Sequence, residues 1–373
     1  MDKQPPTLNP KFHIQLHTPC LPPDWATHAK YPNRNDIQAL ENLWQDGFGL
    51  PHPVALHSGT AALHLALRIL GIGNGDRVLI PTHTYVATAA PLQYERAIPV
   101  LVDSEPETLN MSPEYAEKAI RTLAARGQKP KAMIVVHLYG LAARINDLKD
   151  LARRYNILLI EDAAESVGTT AGGQLTGSFG QAGIWSFNIN KIFSGLGGGA
   201  LLLQDRDQAA RARKLAAHAR EDKPYFYHKE TGYNYGMHPL AAPLIRAQMK
   251  DFDNIIDRKR RLHEIYKQAL ADLPLTPIDE RPGTRSNYWL NAFLLPGGTS
   301  GKDFVGFMQA RGIEVRHFWF PLHRMELFSG CEYWGKNESE KFFERGFLLP
   351  SSPCLTDAQI EQITGAVSTF FGA

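Results

Sequence analysis

The chain predicts an α/β fold with a mostly parallel sheet wound on both faces, followed by a smaller C-terminal α+β domain. Three observations predict it. From residue 54 to residue 218 short apolar runs alternate with helical periodicity, the pattern of a parallel sheet with crossover helices. The apolar runs at 157–160 and 183–187 end in polar residues of chemical interest, Glu161–Asp162 and Ser186, as expected where strand ends carry a site. Beyond Leu273 the alternation gives way to scattered strand-like and helical pieces. The expected organisation is an N-terminal arm over 1–35, a large domain over 36–255 and a small domain over 256–373.

The elements follow in order. The arm is rich in Pro and His and is expected to be irregular. A short helix is expected over 36–45 and a strand over 54–56. Ser58, Gly59 and Thr60 then open a helix over 61–70, and such a cluster at a helix start is a candidate phosphate site. Strands are expected at 78–81, 98–103, 132–137, 157–160, 183–187 and 200–203. Helices are expected at 85–93, 113–123, 146–155 and 207–218. Residues 221–236, EDKPYFYHKETGYNYG, make a loop too long for a simple connector. Helices at 239–249 and 252–270 follow; the second carries DRKRRLHE, whose balanced charges read as a solvated face. Strands at 289–295 and 313–316 and helices at 302–311 and 357–370 complete the chain.

The centre of this pattern is the stretch 157–203. Lys191 lies five residues beyond Ser186 and is followed by four glycines within 195–199. A lysine beside a Gly-rich loop is a candidate Schiff-base nucleophile, because burial lowers its pKa and frees the amine. A surface lysine on a turn is the plain alternative.

Bulk properties narrow the function class. With 43% hydrophobic and 21% charged residues, the composition is that of a globular enzyme. A net charge of +2 argues against nucleic acid or a membrane surface as an electrostatic partner. Three cysteines are too few and scattered for a disulfide framework or zinc site, which suits a reducing cytoplasm. No signal peptide or membrane span is expected. The glycine run at 195–200 has the letters of a dinucleotide fingerprint, but a strand follows it where a helix is required. GGTSGKD at 297–303 lacks the leading Gly and the final Ser/Thr of a P-loop, and the 14 histidines form no metal motif. No G-x-S-x-G elbow is present.

Taken together, HSGTAALHLAL, PTHTYVATA, PVLVDSEPETLNM, VVHLYG, IEDAAES, GSFG, WSFNINK, the Gly-rich loop, GYNYGM, GIEVR with PLH, and LLPSSPCLT resemble the DegT/DnrJ/EryC1/StrS sugar aminotransferases. These are fold-type I, pyridoxal 5'-phosphate-dependent enzymes. The SFNxNK form is similar to enzymes that aminate 4-keto sugars linked to UDP. The resemblance implies that Lys191 forms the Schiff base and moves protons, while Asp162 pairs with the pyridinium nitrogen. It implies phosphate contacts from Ser58, Gly59, Thr60 and Ser186, with Asn234 coming from the neighbouring subunit. Tyr85 would stack on the cofactor ring. Tyr139, Tyr233 and His323 would touch the sugar nucleotide. The implied protein is a cytoplasmic homodimer with its active site at the subunit interface. It would take an amino-acid donor, L-glutamate, and a nucleotide-sugar acceptor, in amino-sugar synthesis for lipopolysaccharide or another glycan.

Three departures stand out. Glu165 occupies a position where the family commonly has Gln near the cofactor's phenolic oxygen. A carboxylate there is expected to be protonated, turned away, or raising the Schiff-base pKa. Gly236 replaces the arginine of the GYNYRM segment in many relatives, so an anion contact is missing or supplied elsewhere. The arm is shorter and richer in Pro than is usual. Two other functions carry the same fold: a dehydratase, in which histidine replaces the lysine, and a non-catalytic regulator. Lys191 opposes the first, and the set Lys191, Asp162, Ser186 and Asn234 opposes the second.

Overall fold

The computed structural model describes residues 12–17 and 33–372. The expected N-terminal arm therefore lies, apart from 12–17 and 33–35, outside the described residues. An eight-stranded sheet forms the centre. Its spatial order is Pro53–Leu56, Gly199–Leu203, Ala182–Ser186, Leu158–Asp162, Ala132–Val136, Arg77–Pro81, Ile98–Val102 and Glu332–Trp334. Only Gly199–Leu203 runs against the rest, being antiparallel to both of its neighbours. The sheet is thus mostly parallel, as the sequence predicts.

Both faces are covered. Ile160, Ile184 and Leu201 pack against the helices Gly59–Ile69 and Arg206–Ala216 through Ala62, Leu65, Ala66, Ala209, Ala212 and Leu215. Met133, Val135 and Leu159 pack on the other side against Pro113–Ala125 and Ile145–Arg154. Side chains of a strand alternate between the faces. This alternation separates the acidic pair at the end of Leu158–Asp162. Glu161 is sealed on one side, accepting N–H bonds from Gly177, Phe179 and Gly180 at 2.9, 2.6 and 2.9 Å. His137 Nε2 donates to it at 3.0 Å, its Nδ1 being occupied as acceptor of the Ala143 N–H. Asp162 is left for the other side.

A second sheet of four strands, Thr276–Pro277, Asn291–Leu294, Gly346–Leu349 and Arg316–His317, packs its Phe293, Phe347 and Leu349 on Phe304 and Met308 of helix Gly301–Ala310. Three local expectations change. The helix expected over 85–93 breaks into a 3₁₀ turn, Val86–Thr88, and a short helix, Ala90–Tyr94, because Pro91 suits a helix start and not a helix interior. The strand expected over 313–316 shrinks to Arg316–His317, with Ile313 pairing instead with Ile14. The charged helix Phe252–Ala269 is not solvated throughout: Lys259 and His263 share the buried spacing of Ile255, Ile256, Leu262 and Tyr266. Lys259 Nζ donates to the carbonyls of Trp289 and Ser351. Burial holds its pKa well below the ordinary lysine range.

Candidate active site

At the carboxyl ends of the parallel strands lies a cavity of about 420 Å³. It is lined from Pro53–Leu56 by His57 and the helix start Ser58, Gly59, Thr60. Thr84, Tyr85 and Thr88 follow Arg77–Pro81. Asp162 and Ser186 end their own strands, and Lys191 enters from the loop between Ala182–Ser186 and Gly199–Leu203. Trp289, Arg316 and Trp319 close it from the chain's last third.

Lys191 is not on the surface. Its side chain is 13% exposed, with Nζ 3.9 Å from the centre of the Trp289 ring and 3.9 Å from Glu165 Oε1. Burial lowers its pKa, opposed by the charges of Glu165 and Asp162. The Trp289 ring is fixed by its indole N–H, which donates to Asn190 O at 2.8 Å.

Asp162 is held by a short relay. Thr88 Oγ1 donates to Asp162 Oδ2 at 2.8 Å and lies 2.9 Å from Thr84 Oγ1, while Ala164 N–H donates to Oδ1 at 3.2 Å. With its donor proton on Asp162, Thr88 accepts from Thr84. Thr88 closes the 3₁₀ turn Val86–Thr88 that precedes the helix Ala90–Tyr94.

The helix Gly59–Ile69 begins against the strand ends. Ser58 Oγ accepts the Ala61 N–H at 3.1 Å, so its hydroxyl serves as the N-cap. The glycines make the approach possible. A Cβ on Gly59 would stand 3.1 Å from Ser186 Cβ, and one on Gly199 would meet the Ser58 carbonyl carbon at 2.3 Å. The helix start and the Ser186 hydroxyl therefore converge on one wall, where the helix dipole favours an anion. Helix start, carboxylate and shielded amine share one cavity. This donor set fits pyridoxal phosphate: Gly59, Thr60 and Ser186 would receive the phosphate, Asp162 a protonated ring nitrogen and Lys191 the aldehyde.

Glu165 is turned into this set. Tyr139 N–H donates to its Oε2 at 2.7 Å, and Trp319 Nε1–H lies 3.4 Å from its Oε1. Burial pushes its pKa up, against the pull of Lys191 and the Tyr139 N–H. Tyr139 presents that N–H from a left-handed backbone, φ 57°, a conformation a tyrosine keeps only when its surroundings impose it. Its own hydroxyl accepts the Trp319 N–H at 2.8 Å.

The remaining expected residues sit as follows. Tyr85 lines the cavity, with its ring 5.9 Å from that of Trp319. Tyr139 is fully buried beneath the cavity and lines none of it. His323 is occupied: Nδ1 lies 2.7 Å from Thr82 Oγ1, Nε2 lies 2.9 Å from Glu340 Oε1, and the ring stacks on Tyr333. Tyr233 stacks on Tyr235 at 4.7 Å outside the cavity. Asn234 is exposed, also outside its own chain's cavity, on a segment bridged to Ala217. Sequence reasoning gave no role to His57, Thr84, Thr88, Asn188, Asn190, Trp289, Arg316 or Trp319, all of which line the cavity. Thr84 and Thr88 stood in the PTHTYVATA segment at a spacing of four, and Arg316 closed GIEVR; those were the available signals. Among the described residues no group of three or more His, Cys, Asp or Glu is arranged to hold a metal ion. No helix among them is long and apolar enough to cross a membrane.

Comparison with known proteins agrees with the geometry. EpsN of Bacillus subtilis (strain 168) is 39% identical over 326 residues, covering 86% of this chain and 84% of EpsN. The GDP-perosamine synthase of Vibrio cholerae is 34% identical over 359 residues, covering 94% of each chain. A crystal structure of a DegT DnrJ EryC1 StrS aminotransferase from Brucella abortus superposes with a TM-score of 0.86 at 28% identity, covering 93% of each chain. Residues 14–368 match the profile of this same family. By these matches the chain belongs to the DegT/DnrJ/EryC1/StrS aminotransferase family and is a pyridoxal-phosphate-dependent enzyme.

Proposed function

We propose that this chain transfers the amino group of an amino acid, L-glutamate, to a ketone of a nucleotide-linked deoxysugar. The observation that carries the reading is the position of Lys191, a shielded amine in one cavity with Asp162 and a helix start. Pyridoxal phosphate, when bound, supplies the electron sink and carries the amino group from donor to acceptor. The protein's residues do the rest. Asp162, fixed by Thr88, would hold a proton on the ring nitrogen. Lys191, its pKa lowered by burial, would take and return the proton moved between donor carbon and cofactor carbon. Gly59, Thr60 and Ser186 would hold the phosphate. Tyr85, Trp289 and Trp319 would keep water from the reacting atoms.

In this reading residues 36–255 form the cofactor domain, and residues 256–373 a smaller domain that brings Trp289, Arg316 and Trp319 to the cavity. The name of the Vibrio cholerae relative supports a nucleotide-linked sugar as acceptor. The exposure of Asn234 outside its own cavity supports a homodimer in which it reaches the neighbouring site. A cytoplasmic location and a product used in lipopolysaccharide belong to the same proposal. The test is the visible spectrum of the cofactor-loaded protein before and after L-glutamate, followed by a panel of nucleotide-linked keto sugars. Conversion to the amine form by glutamate, and its reversal by one such sugar, is the expected result. A Lys191→Ala protein that still turns over, or a wild-type protein inert to every donor, would overturn it.

A further inference from the structure

We propose that Arg316 is the oxyanion anchor of the cavity, aimed by Glu314 and read by both reactants in turn. The inference rests on the aminotransferase reading, since it concerns the anionic groups of the donor and of the sugar nucleotide. Among the described residues lining the cavity, Lys191 and Arg316 are the only lysine or arginine. Lys191 is committed to the cofactor. Asp162 and Glu165 line the inner wall, and Arg316 is the arginine of the lining that can offset the repulsion a carboxylate or diphosphate meets there.

The guanidinium is pre-aimed. Its Nε and Nη2 both donate to Glu314 Oε1, at 2.9 and 2.5 Å. Glu314 is almost fully buried, and its other oxygen accepts the Leu16 N–H at 3.0 Å, while its own N–H donates to Ile14 O at 2.8 Å. The N-terminal segment thus clamps the carboxylate that clamps the arginine. Glu314 takes one edge of the fork. Among the described residues Nη1 has no hydrogen-bond partner, so its donors are open to a ligand, and the Arg316 side chain, which lines the cavity, is 53% exposed. A planar fork held along one edge suits carboxylate or phosphate oxygens.

The test uses cofactor-loaded wild type, Arg316→Gln, Arg316→Lys and Glu314→Gln. Each half-reaction is titrated separately by absorbance, with L-glutamate and then with the keto-sugar nucleotide. Two unreactive probes, succinate and inorganic pyrophosphate, are titrated by tryptophan fluorescence, which reports on Trp289 and Trp319. Arg316→Gln is expected to weaken binding about ten- to a hundred-fold while the limiting rate changes little. Arg316→Lys keeps the charge without the fork and should lose part of that. Glu314→Gln, a positioning change, should raise KM with kcat held. Weakening of both sets, glutamate with succinate and the sugar nucleotide with pyrophosphate, is the expected result. Weakening confined to one set would overturn the shared reading and leave an anchor for that reactant alone. If Arg316→Gln does not fold, Arg316→Lys carries the test. Variants that bind both probes as wild type does overturn the proposal. A wild type inert in both half-reactions but binding the probes through Arg316 would overturn the functional reading and leave the anchor standing.

Discussion

Glu165 Oε1 stands 3.9 Å from Lys191 Nζ, while the other oxygen of the same carboxylate is fastened to the Tyr139 N–H at 2.7 Å. The carboxylate cannot swing away from the lysine without abandoning that bond. Two opposing effects therefore meet on Lys191: burial favours the free amine, and the charges of Glu165 and Asp162 favour the ammonium. Glu165→Gln keeps the shape and removes one of the charges. The pH midpoint for reaction of the cofactor-free lysine with an amine-selective reagent should move down. A midpoint that stays put or rises would mean that Glu165 is already neutral in the folded protein.

The hold on Asp162 makes a graded prediction. Thr88→Val preserves the shape of the threonine and removes the hydroxyl donor to a nearly buried carboxylate. Loss of a hydrogen bond to a charged group costs about 1.5–3 kcal/mol. Thr84→Val removes only a hydroxyl–hydroxyl bond one step further out, worth about 1 kcal/mol. Urea unfolding of the cofactor-free proteins should therefore rank wild type above Thr84→Val above Thr88→Val. Equal losses would show that the relay does not run from Thr84 through Thr88 to Asp162.

The order of strands and helices around these residues was legible because it rests on local pattern: apolar runs of four or five residues, separated by helical periodicity, read directly from 54 to 218. Asp162, Ser186 and the Ser58–Gly59–Thr60 helix start were legible because each ends or begins such an element, and Lys191 because it stands between a strand end and the Gly-rich loop. The residues that close the cavity were not. Trp289, Arg316 and Trp319 come from short or irregular pieces whose place depends on long-range pairing, such as Ile14 with Ile313. Glu332–Trp334 joins the large sheet with three half-buried residues, too few to show a period. Lys259 was hidden for another reason. Its neighbours Asp257, Arg258 and Arg261 face solvent, and one helical step turns the same charged run into the core.

Acid should weaken the fold through buried imidazoles. His83 is fully buried beside Tyr139 and Phe318, and burial drops its pKa to about 3; His17 is lowered in the same direction. As pH falls through 6.5 the unfolded chain takes up a proton that folded His83 refuses until about pH 3. Its contribution is therefore present above pH 6.5 and is lost as pH falls between those values. For this one residue the loss between pH 7.5 and 5.5 is about 1.4 kcal/mol. Urea midpoints of wild type and His83→Gln at the two pH values measure it. The variant should show the shallower decline, and parallel declines would sink the assignment.

Three glycines, Gly199, Gly59 and Gly236, should respond to substitution to very different degrees, for reasons of space alone. Gly199 lies against the backbone of Ser58, where a Cβ would come within 2.3 Å of a carbonyl carbon that has nowhere to go. Gly199→Ala must therefore push the helix start away from the strand end, with a loss of several kcal/mol of stability and of the convergent phosphate wall. Gly59→Ala meets the Ser186 side chain at 3.1 Å, a contact eased by a shift of a few tenths of an ångström, and should cost less. Gly236 is exposed, has no atom within 4 Å of the Cβ position, and is not among the glycines with a left-handed backbone. Gly236→Arg should thus leave stability within about 0.5 kcal/mol of wild type. Thermal melts of the three variants, with and without pyridoxal phosphate, decide the matter. The cofactor should raise the melting temperature of Gly236→Arg as it does that of wild type, and should raise that of Gly199→Ala least. A Gly199→Ala protein as stable and as strongly stabilised by cofactor as wild type would show that the helix start does not need to press against Gly199–Leu203 to hold the phosphate.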